Sequence, residues 1–275
     1  MLLRRVPACF LIASNLADVN FLTGMGYLAK HLARRGARNL VLMPNGCCQV
    51  RFSEKLDQTR YAPDFDVVFI GNNATYSSNV FSQFFWTTRR RREFVALVTK
   101  RYGRRFGLFG DGWAGNPSWQ GPIHYDRQHH AYRRGAVALG GMPGAYHDYY
   151  TSDRVFIAIA SGIPFVDYAV AGVDLLLRPG RDWWLATDIS GMIRCCDNLL
   201  SRSEQGRLHM GSSARERVLR SHTQYHRCRE MVSIVRELRV ARFRGARATE
   251  PRLSFIFPGK NRSSIDFPAV VAWDG

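Results

Sequence analysis

Short apolar runs alternate with segments of helical periodicity along the first fifty residues. Residues 8–13 form an apolar run that predicts a buried strand. Apolar side chains then recur at helical spacing across residues 22–35, and Gly36 is well placed to end that helix. Residues 39–43 are a second apolar run, which Pro-Asn-Gly ends. The pattern predicts one β-α-β unit, which requires a parallel sheet.

The same alternation resumes after a polar connector at residues 53–63. Residues 66–70 form an apolar strand that ends at Gly-Asn-Asn, as first strands of Rossmann-like sheets do. Further strands are predicted at residues 105–109, 136–139 and 163–166, with helices at residues 90–101, 129–134, 153–161, 189–200, 203–220 and 224–239. The predicted fold class is therefore α/β, with a Rossmann-like parallel sheet flanked by helices.

The length of 275 residues limits how much fold the chain can hold. It suffices for one large α/β domain, or one and a half smaller ones, but not for two complete Rossmann-like domains. We expect a partial N-terminal Rossmann-like unit at residues 1–60 and a Rossmann-like domain at residues 61–240. Residues 241–275 are expected to form a basic tail or the start of a further segment.

The net charge of +17 and the pI near 10.3 are unusual, whereas a hydrophobic fraction of 46% is ordinary for a globular protein. So large a positive charge favours an anionic partner, such as a nucleotide, a nucleic acid or an anionic membrane surface. Arg carries most of it, with clusters at residues 89–92, 101–105 and 236–252. Biased coding composition explains the Arg excess equally well, and an Arg run is often only a solvated helix face. Both interpretations stay open at this point.

Cysteine spacing and hydropathy bear on metal binding and location. The six cysteines lack the C-x-x-C pairs of a structural zinc site, so we expect no metal, and reduced thiols in a cytoplasmic protein. The apolar residues 6–13 follow Arg4 and Arg5 as in a signal peptide, but the run is short and lacks a small-residue cleavage site. No stretch approaches the ~20 apolar residues of a membrane span, so we expect no transmembrane segment.

One segment carries a family signature. The run S-D-R-V-F-I-A-I-A-S-G-I-P-F-V at residues 152–166 resembles the R-v-f-E-a-l-A-s-G-i-P signature of group 1 glycosyltransferases. Residues 67–72, 108–113 and 132–139 resemble the V-F-I-G-N, l-y-G-x-G-W and Y-x-x-a-x-i-x-L segments of that family, and residues 221–227 resemble its H-T-Y-x-x-R. The matches keep the family's order along residues 64–238.

The chain therefore resembles the donor-binding C-terminal domain of a GT-B type glycosyltransferase, in the group 1 and spore-maturation-protein-like branch. The resemblance implies a GT-B donor domain with a truncated N-terminal β-α-β unit. It also implies transfer of a sugar from a nucleotide diphosphate sugar to an unknown acceptor. The nucleotide-sugar donor is a substrate, and the resemblance implies neither a cofactor nor a bound metal.

The acceptor domain of the family has little counterpart in the residues that precede the match. Three explanations stay open: a fragment, a minimised enzyme, or a chain completed by a partner chain that supplies the acceptor domain. Residues 252–262 also resemble the opening strand of a family 2 type glycosyltransferase domain.

Glycine-rich strand ends and one helix start are the expected donor-binding elements. Glycines there let backbone N–H groups approach a diphosphate, and a helix N-terminus favours its negative charge. Arg154, at the start of the helix at residues 153–161, places a guanidinium beside phosphate oxygens. The alternative is an Asp153 cap and an Arg154 surface ion pair. The residues expected to bind the donor are Gly71, Asn72, Asn73, Gly110, Asp111, Gly112, Trp113, His124, Ser152, Asp153 and Arg154.

Two positions depart from the family pattern. Many group 1 enzymes have one Glu that holds the donor ribose and another that contacts the sugar, and this chain has Ile157 and Tyr149 in those places. Either other groups recognise these parts of the donor, with Asp148, Tyr150 and Asp153 close in sequence, or the site has decayed. The alternative function is therefore a non-catalytic nucleotide-sugar or nucleic-acid binding module on a degenerate glycosyltransferase fold.

The sequence does not identify a catalytic base. In the family the acceptor domain commonly supplies it, and Asp18 and His31 are the candidates in the short N-terminal unit. A nucleic-acid acceptor bound through the Arg clusters agrees with the charge. Further residues with competing structural and functional interpretations are His124, His129 and His130 near Asp126, His147 with Asp148, and Trp183 with Trp184.

Overall fold

The computed structural model describes residues 8–24, 27–37, 39–52, 62–73, 83–141, 149–243 and 254–255. Its strands are β1 (Asn20–Leu22), β2 (Leu40–Leu42), β3 (Phe65–Ile70), β4 (Phe106–Phe109), β5 (Gly135–Leu139), β6 (Phe165–Tyr168), β7 (Trp184–Ala186) and β8 (Ser254–Phe255). Its α-helices are α1 (Ala8–Leu16), α2 (Tyr27–Arg34), α3 (Gln83–Tyr102), α4 (Gln128–Arg133), α5 (Asp153–Ala160), α6 (Ile189–Leu200), α7 (Glu204–Ser221) and α8 (Gln224–Phe243).

Two sheets organise these elements. The larger has the strand order β4-β3-β5-β6-β7, and the smaller has the order β1-β2-β8. Strands pair in parallel in both sheets. The predicted α/β class, with a Rossmann-like parallel sheet flanked by helices, is confirmed.

The larger sheet is covered on both faces, which explains why its strands are continuous apolar runs. Val67 and Phe69 of β3 belong to the core shared with α3 and α6. Val68 and Ile70, which point the other way, belong to the core shared with α5 and α7. Helix α5 is buried along nearly its whole length, which is typical of a core helix.

The prediction for the N-terminus is wrong in one element. Residues 8–13 lie in α1, and the first strand of the β-α-β unit is β1, which the sequence analysis missed. A short apolar run without clear periodicity does not distinguish a strand from a helix. In α1, Ile12 and Leu16 are exposed, so the run is not a buried strand.

Most of the other predicted elements are confirmed to within a few residues. The helix predicted at residues 189–200 coincides with α6, and the strand predicted at 66–70 lies within β3. The helix predicted at 22–35 begins only at Tyr27, because Leu22 ends β1. Strand β7 was not predicted, and Trp184 at its start is partly buried. Ser254–Phe255 pairs with β2 of the smaller sheet.

Residues 44–52 lie beyond the end of β2, and two arginines hold this segment. The guanidinium of Arg215 donates to the carbonyl oxygens of Phe52, at 2.8 Å, and of Ala160. The Nε of Arg227 donates to the carbonyl oxygen of Pro44 at 2.9 Å. Burial lowers the pKa of Arg227 to about 10. These guanidinium groups therefore act as buried donors to backbone oxygens rather than as surface charges.

No helix within the described ranges is long and apolar enough to cross a bilayer.

Helix α7 crosses the end of α5 at a glycine, which gives a test of this packing. A Cβ on Gly211 would lie 2.1 Å from the carbonyl oxygen of Gly162, a residue with φ +83°. We expect Gly211→Ala to lower the free energy of unfolding by about 1–3 kcal/mol, because the backbones must separate. Urea denaturation of the purified protein measures this.

Gly206→Ala in the same helix is the matched control. Its Cβ would meet only the Oγ of Ser203, at 3.1 Å. Because Ala favours a helix over Gly by ~0.5–1 kcal/mol, this variant should be as stable as the parent or more so. A Gly211→Ala variant with the parent's stability would contradict the close approach of α7 to α5.

Candidate functional site

A cavity opens where the direction of the chain through the larger sheet reverses. From β3 the chain passes to β4 on one side and then returns to β5 on the other. In open parallel sheets such a switch point leaves a crevice at the carboxyl ends of the strands, where ligands bind. The cavity is lined there by the ends of β3, β5 and β6 and by the start of α5. Among the predicted donor-binding residues, Ser152 and Arg154 line it.

The start of α5 is capped by its own side chains. The Oγ of Ser152 accepts a hydrogen bond from the backbone N–H of Arg154 at 3.3 Å, as a helix cap does. The Oδ1 of Asp153 accepts from the same N–H at 2.9 Å. Asp153 thus has the capping role that the sequence analysis held as an alternative. The amide of Arg154 is occupied, so this residue offers a ligand its side chain.

The side chain of Arg154 lies across the end of β3. Its Nη1 donates to the carbonyl oxygen of Ile70 at 3.2 Å, and its Nε donates to the Oγ of Ser152 at 3.4 Å. Among the described residues it forms no salt bridge with a carboxylate, and its Nη2 has no hydrogen bond. The cavity therefore contains a positive charge with unused N–H donors.

The two predicted glycine-rich loops meet each other beside Arg154. The Nε1 of Trp113 donates to the carbonyl oxygen of Gly71 at 2.6 Å, and the N–H of Asn73 donates to the carbonyl oxygen of Asp111 at 2.8 Å. Gly110 has φ +128°, and a Cβ there would lie 2.5 Å from the oxygen of Gly71. The structure brings together Gly71, Asn72, Asn73, Gly110, Asp111, Gly112 and Trp113, as predicted for neighbouring strand ends. Many of their polar groups bond one another and are not open to a diphosphate.

The Arg cluster at residues 89–92 is partly structural. Arg91 is 4% exposed, and its Nη1 donates to the carbonyl oxygen of Asn72 at 2.8 Å. The Nε of Arg92 donates to the Oδ1 of Asn73 at 2.7 Å. These two arginines therefore hold the loop after β3. Arg89 and Arg90 are exposed on α3.

His124 lies outside the cavity lining and is largely exposed. Its Nδ1 accepts a hydrogen bond from the backbone N–H of Asp126 at 3.3 Å and caps a short 3-10 helix, Tyr125–Arg127. Tyr125 in that helix lies close to Asp153 at the start of α5. Burial and this neighbouring carboxyl group raise the pKa of Tyr125. His124 thus stands near the site in a structural role.

The remaining candidates do not converge on the cavity as catalytic groups. Burial lowers the pKa of His129 to about 4, and its ring packs edge-on against Phe52. Trp183 is 1% exposed, so its ring is packed into the wall of the cavity and does not present a face on which a sugar or base could stack. His147 and Asp148 lie outside the described residues. No cluster of His, Cys, Asp and Glu able to hold a metal occurs within the described segments.

The positions that replace the family's two Glu residues are both engaged in packing. Ile157 is 1% exposed and belongs to the main core. Tyr149 has φ +62°, packs against the core of the smaller sheet, and lies against Gly172. Neither position therefore carries the carboxylate that would hold ribose or sugar.

Asp167 lines the cavity from β6 and is not among the residues predicted from the sequence. Its Oδ1 accepts a hydrogen bond from the N–H of Tyr168 at 2.8 Å. A Cβ on Gly140 would lie 2.2 Å from the Cγ of Asp167, so the carboxyl group of Asp167 occupies the space above that glycine. Burial raises the pKa of Asp167 to about 7. The available signal was an acidic residue within an apolar strand.

Comparisons with known proteins place this geometry in context. The sequence model of a family described as glycosyl transferase-like matches residues 89–233. The sucrose-phosphate synthase of Thermosynechococcus elongatus has a similar structure, with a TM-score of 0.57 and 16% identity, over 84% of this chain and 61% of that one. A glycosyltransferase from Rickettsia africae is similar with a TM-score of 0.56 and 11% identity, over 86% and 68% of the two chains.

Anabaena HepE, solved in complex with UDP and glucose, is similar with a TM-score of 0.58 and 11% identity, over 82% of this chain and 64% of that one. A search of curated protein sequences gave no match. The chain spans 61% of the length of the synthase. At these identities the structural likeness establishes the fold, which these neighbours share as GT-B glycosyltransferases.

The raised pKa of Asp167 predicts how stability depends on pH. The pKa rises from an ordinary 3.8 to about 7 in the folded chain, so the folded state holds this proton more tightly than the unfolded state. The contribution of Asp167 to stability therefore falls as pH rises through this interval and is constant above it. We expect the melting temperature of Asp167→Asn, relative to the parent, to rise across the interval. Thermal melting in a pH series measures the difference.

Asp174→Asn, at an exposed position, is the control for a change of charge alone. Because this side chain is exposed, the difference between its melting temperature and the parent's should change far less across the interval than that of Asp167→Asn. A difference for Asp167→Asn that is equally flat would show that the carboxyl group is not held in its neutral form by burial.

Proposed function

Since the chain belongs to the glycosyl transferase-like family, we propose that it transfers a sugar from a nucleotide diphosphate sugar to an acceptor, with the diphosphate bound beside Arg154. The observation that carries this proposal is the guanidinium of Arg154 at the switch point of the sheet. Ligands bind at such switch points in other open α/β sheets. The cation is held in place by the carbonyl oxygen of Ile70 before any ligand arrives.

Arg154 meets the main electrostatic demand of this reaction. Negative charge builds up on the departing diphosphate as the bond to the sugar breaks, and a fixed cation in a site shielded from water stabilises that charge. A guanidinium also binds two phosphate oxygens at once. We propose that Arg154, rather than a bound metal, neutralises the leaving group.

The choice of nucleotide to test first follows from the neighbours. The structure of Anabaena HepE contains UDP and glucose. We therefore propose UDP-sugars as the first donor class to assay for this chain. The acceptor stays open, and binding of a nucleic acid through the Arg clusters or completion by a partner chain are further predictions. The burial of Arg91 reduces the cationic surface available for the first of these.

A second candidate function is a binding module without turnover. The observation that favours it is the packing of Ile157 and Tyr149, which leaves no carboxylate at the two places where the family has Glu. Such a module would keep the diphosphate site at Arg154 and bind nucleotide sugars without cleaving them.

We expect Arg154→Ala to weaken binding of UDP by ~1.5–3 kcal/mol, because it removes a charged hydrogen-bond donor. Its melting temperature without ligand should stay close to the parent's. Isothermal titration calorimetry measures the affinity. Arg181→Ala, at an exposed position, is the matched control and should bind UDP as the parent does. Equal affinity of the Arg154→Ala variant would remove this residue from the donor site.

Turnover separates the two candidate functions. If the chain is an enzyme, purified protein incubated with UDP-glucose or a GDP-sugar should release nucleoside diphosphate slowly, with water in place of the acceptor. The rate should be unchanged by a chelator. Binding of the nucleotide sugars without any release of nucleoside diphosphate would support the binding module instead.

A further inference from the structure

Two polar side chains line the cavity with hydrogen-bonding capacity that the described residues leave unused. Thr151 is 4% exposed, and its Oγ1 has no hydrogen-bond partner within the described residues. Asp167 lines the same cavity and, among the described side chains, forms no ion pair. Buried polar groups are nearly always satisfied in native structures, so an unpartnered hydroxyl in a cavity indicates a missing ligand or water. The carboxyl group of Asp167, which lines the same cavity, adds hydrogen-bond acceptors.

We propose that Thr151 and Asp167 bind a vicinal diol of the donor. This inference rests on the proposed function, because it takes Arg154 as the diphosphate ligand. Thr151 stands three positions before Arg154 at the start of α5, and Asp167 lines the cavity from β6. A carboxylate accepts hydrogen bonds from two adjacent hydroxyls, and a threonine hydroxyl can donate or accept beside them.

The charges that line the cavity favour an anionic ligand group beside Arg154 and a neutral ligand group beside Asp167. Burial raises the pKa of Asp167 to about 7, so its carboxyl group is partly ionised near neutral pH. A phosphate beside it would then be repelled, whereas hydroxyl groups carry no charge and can donate to it. The rings joined directly to the diphosphate of a nucleotide sugar are the ribose and the transferred sugar, and both carry vicinal hydroxyls. The nucleobase lies one ring further away. Adjacency to Arg154 therefore favours a diol over the base as the partner of Asp167.

The pair also supplies what the packed positions do not. The Glu places of the family hold Ile157 and Tyr149, which face hydrophobic cores. Asp167 lines the cavity from β6, the strand that follows α5. In this proposal, Asp167 on β6 and Thr151 before α5 bind the hydroxyl groups in place of the two Glu residues of the family.

The test compares ligands that differ by one hydroxyl or one ring. Calorimetric titrations of the full chain use UDP, 2′-deoxy-UDP, UDP-glucose, GDP and inorganic pyrophosphate. The proteins are the parent, Asp167→Asn, Thr151→Val and the exposed control Asp174→Asn. Pyrophosphate lacks hydroxyl groups, so unchanged binding of pyrophosphate shows that each variant is folded with an intact Arg154 site.

If the diol is that of the ribose, the parent should bind UDP roughly tenfold to a hundredfold more tightly than 2′-deoxy-UDP, and both site variants should bring this ratio close to one. If the diol is that of the sugar, the ratio is near one in every protein. The parent then binds UDP-glucose more tightly than UDP, and both site variants lose that gain. Asp174→Asn should behave as the parent in either case.

Three results would overturn the inference. Site variants that keep all the parent's ratios would show that Thr151 and Asp167 contact no hydroxyl. An altered preference between UDP and GDP in Asp167→Asn, with the hydroxyl ratios unchanged, would assign Asp167 to the nucleobase. If the parent binds neither pyrophosphate nor any nucleotide, the donor assignment itself is wrong and the diol site falls with it; binding without discrimination overturns the diol site alone.

Discussion

The segment at residues 44–52 holds both ends of α5, and the geometry of the cavity depends on this constraint. The side chain of Asn45 donates to the carbonyl oxygen of Thr151 just before the helix, at 2.8 Å. At the far end, Arg215 joins the carbonyl oxygens of Ala160 and Phe52. A short buried helix fixed at both ends keeps its first residues in register with the strand ends. Arg154 and Thr151 are positioned by that register.

The sequence predicts the larger sheet well because its signals are local and redundant. Four consecutive residues of β3, at positions 67–70, are apolar and buried, and the Ser152 cap marks the start of α5. The prediction for the N-terminal run fails because six apolar or small residues, at positions 8–13, fit a helix as well as a strand. Of the site, the sequence predicts the loops and Arg154. It does not show that the loops are occupied by contacts with each other, since those contacts join residues about forty positions apart.

The structure also changes how the net charge of +17 is interpreted. Arg91, Arg215 and Arg227 are buried and donate to backbone carbonyl oxygens, so part of the Arg excess is used inside the protein. A guanidinium suits this role because it presents five donors in a plane and is weakly hydrated for an ion. Counts of basic residues therefore overestimate the surface available to an anionic partner. The same residue type serves the fold at these positions and, in our proposal, the ligand at Arg154.

The smaller sheet joins parts of the chain that are made at very different times. Strand β8 pairs with β2 at Val41 and Leu42, whereas the strands of the larger sheet lie within residues 65–186. During synthesis from the N-terminus, the larger sheet can collapse on its own helices while β2 still has an open edge. Pairing over so long a stretch of chain is slow, because its loop must close before the contact stabilises anything. The exposed edge of β2 is thus a point where a chaperone, or another nascent chain, can compete with the native partner before folding is complete.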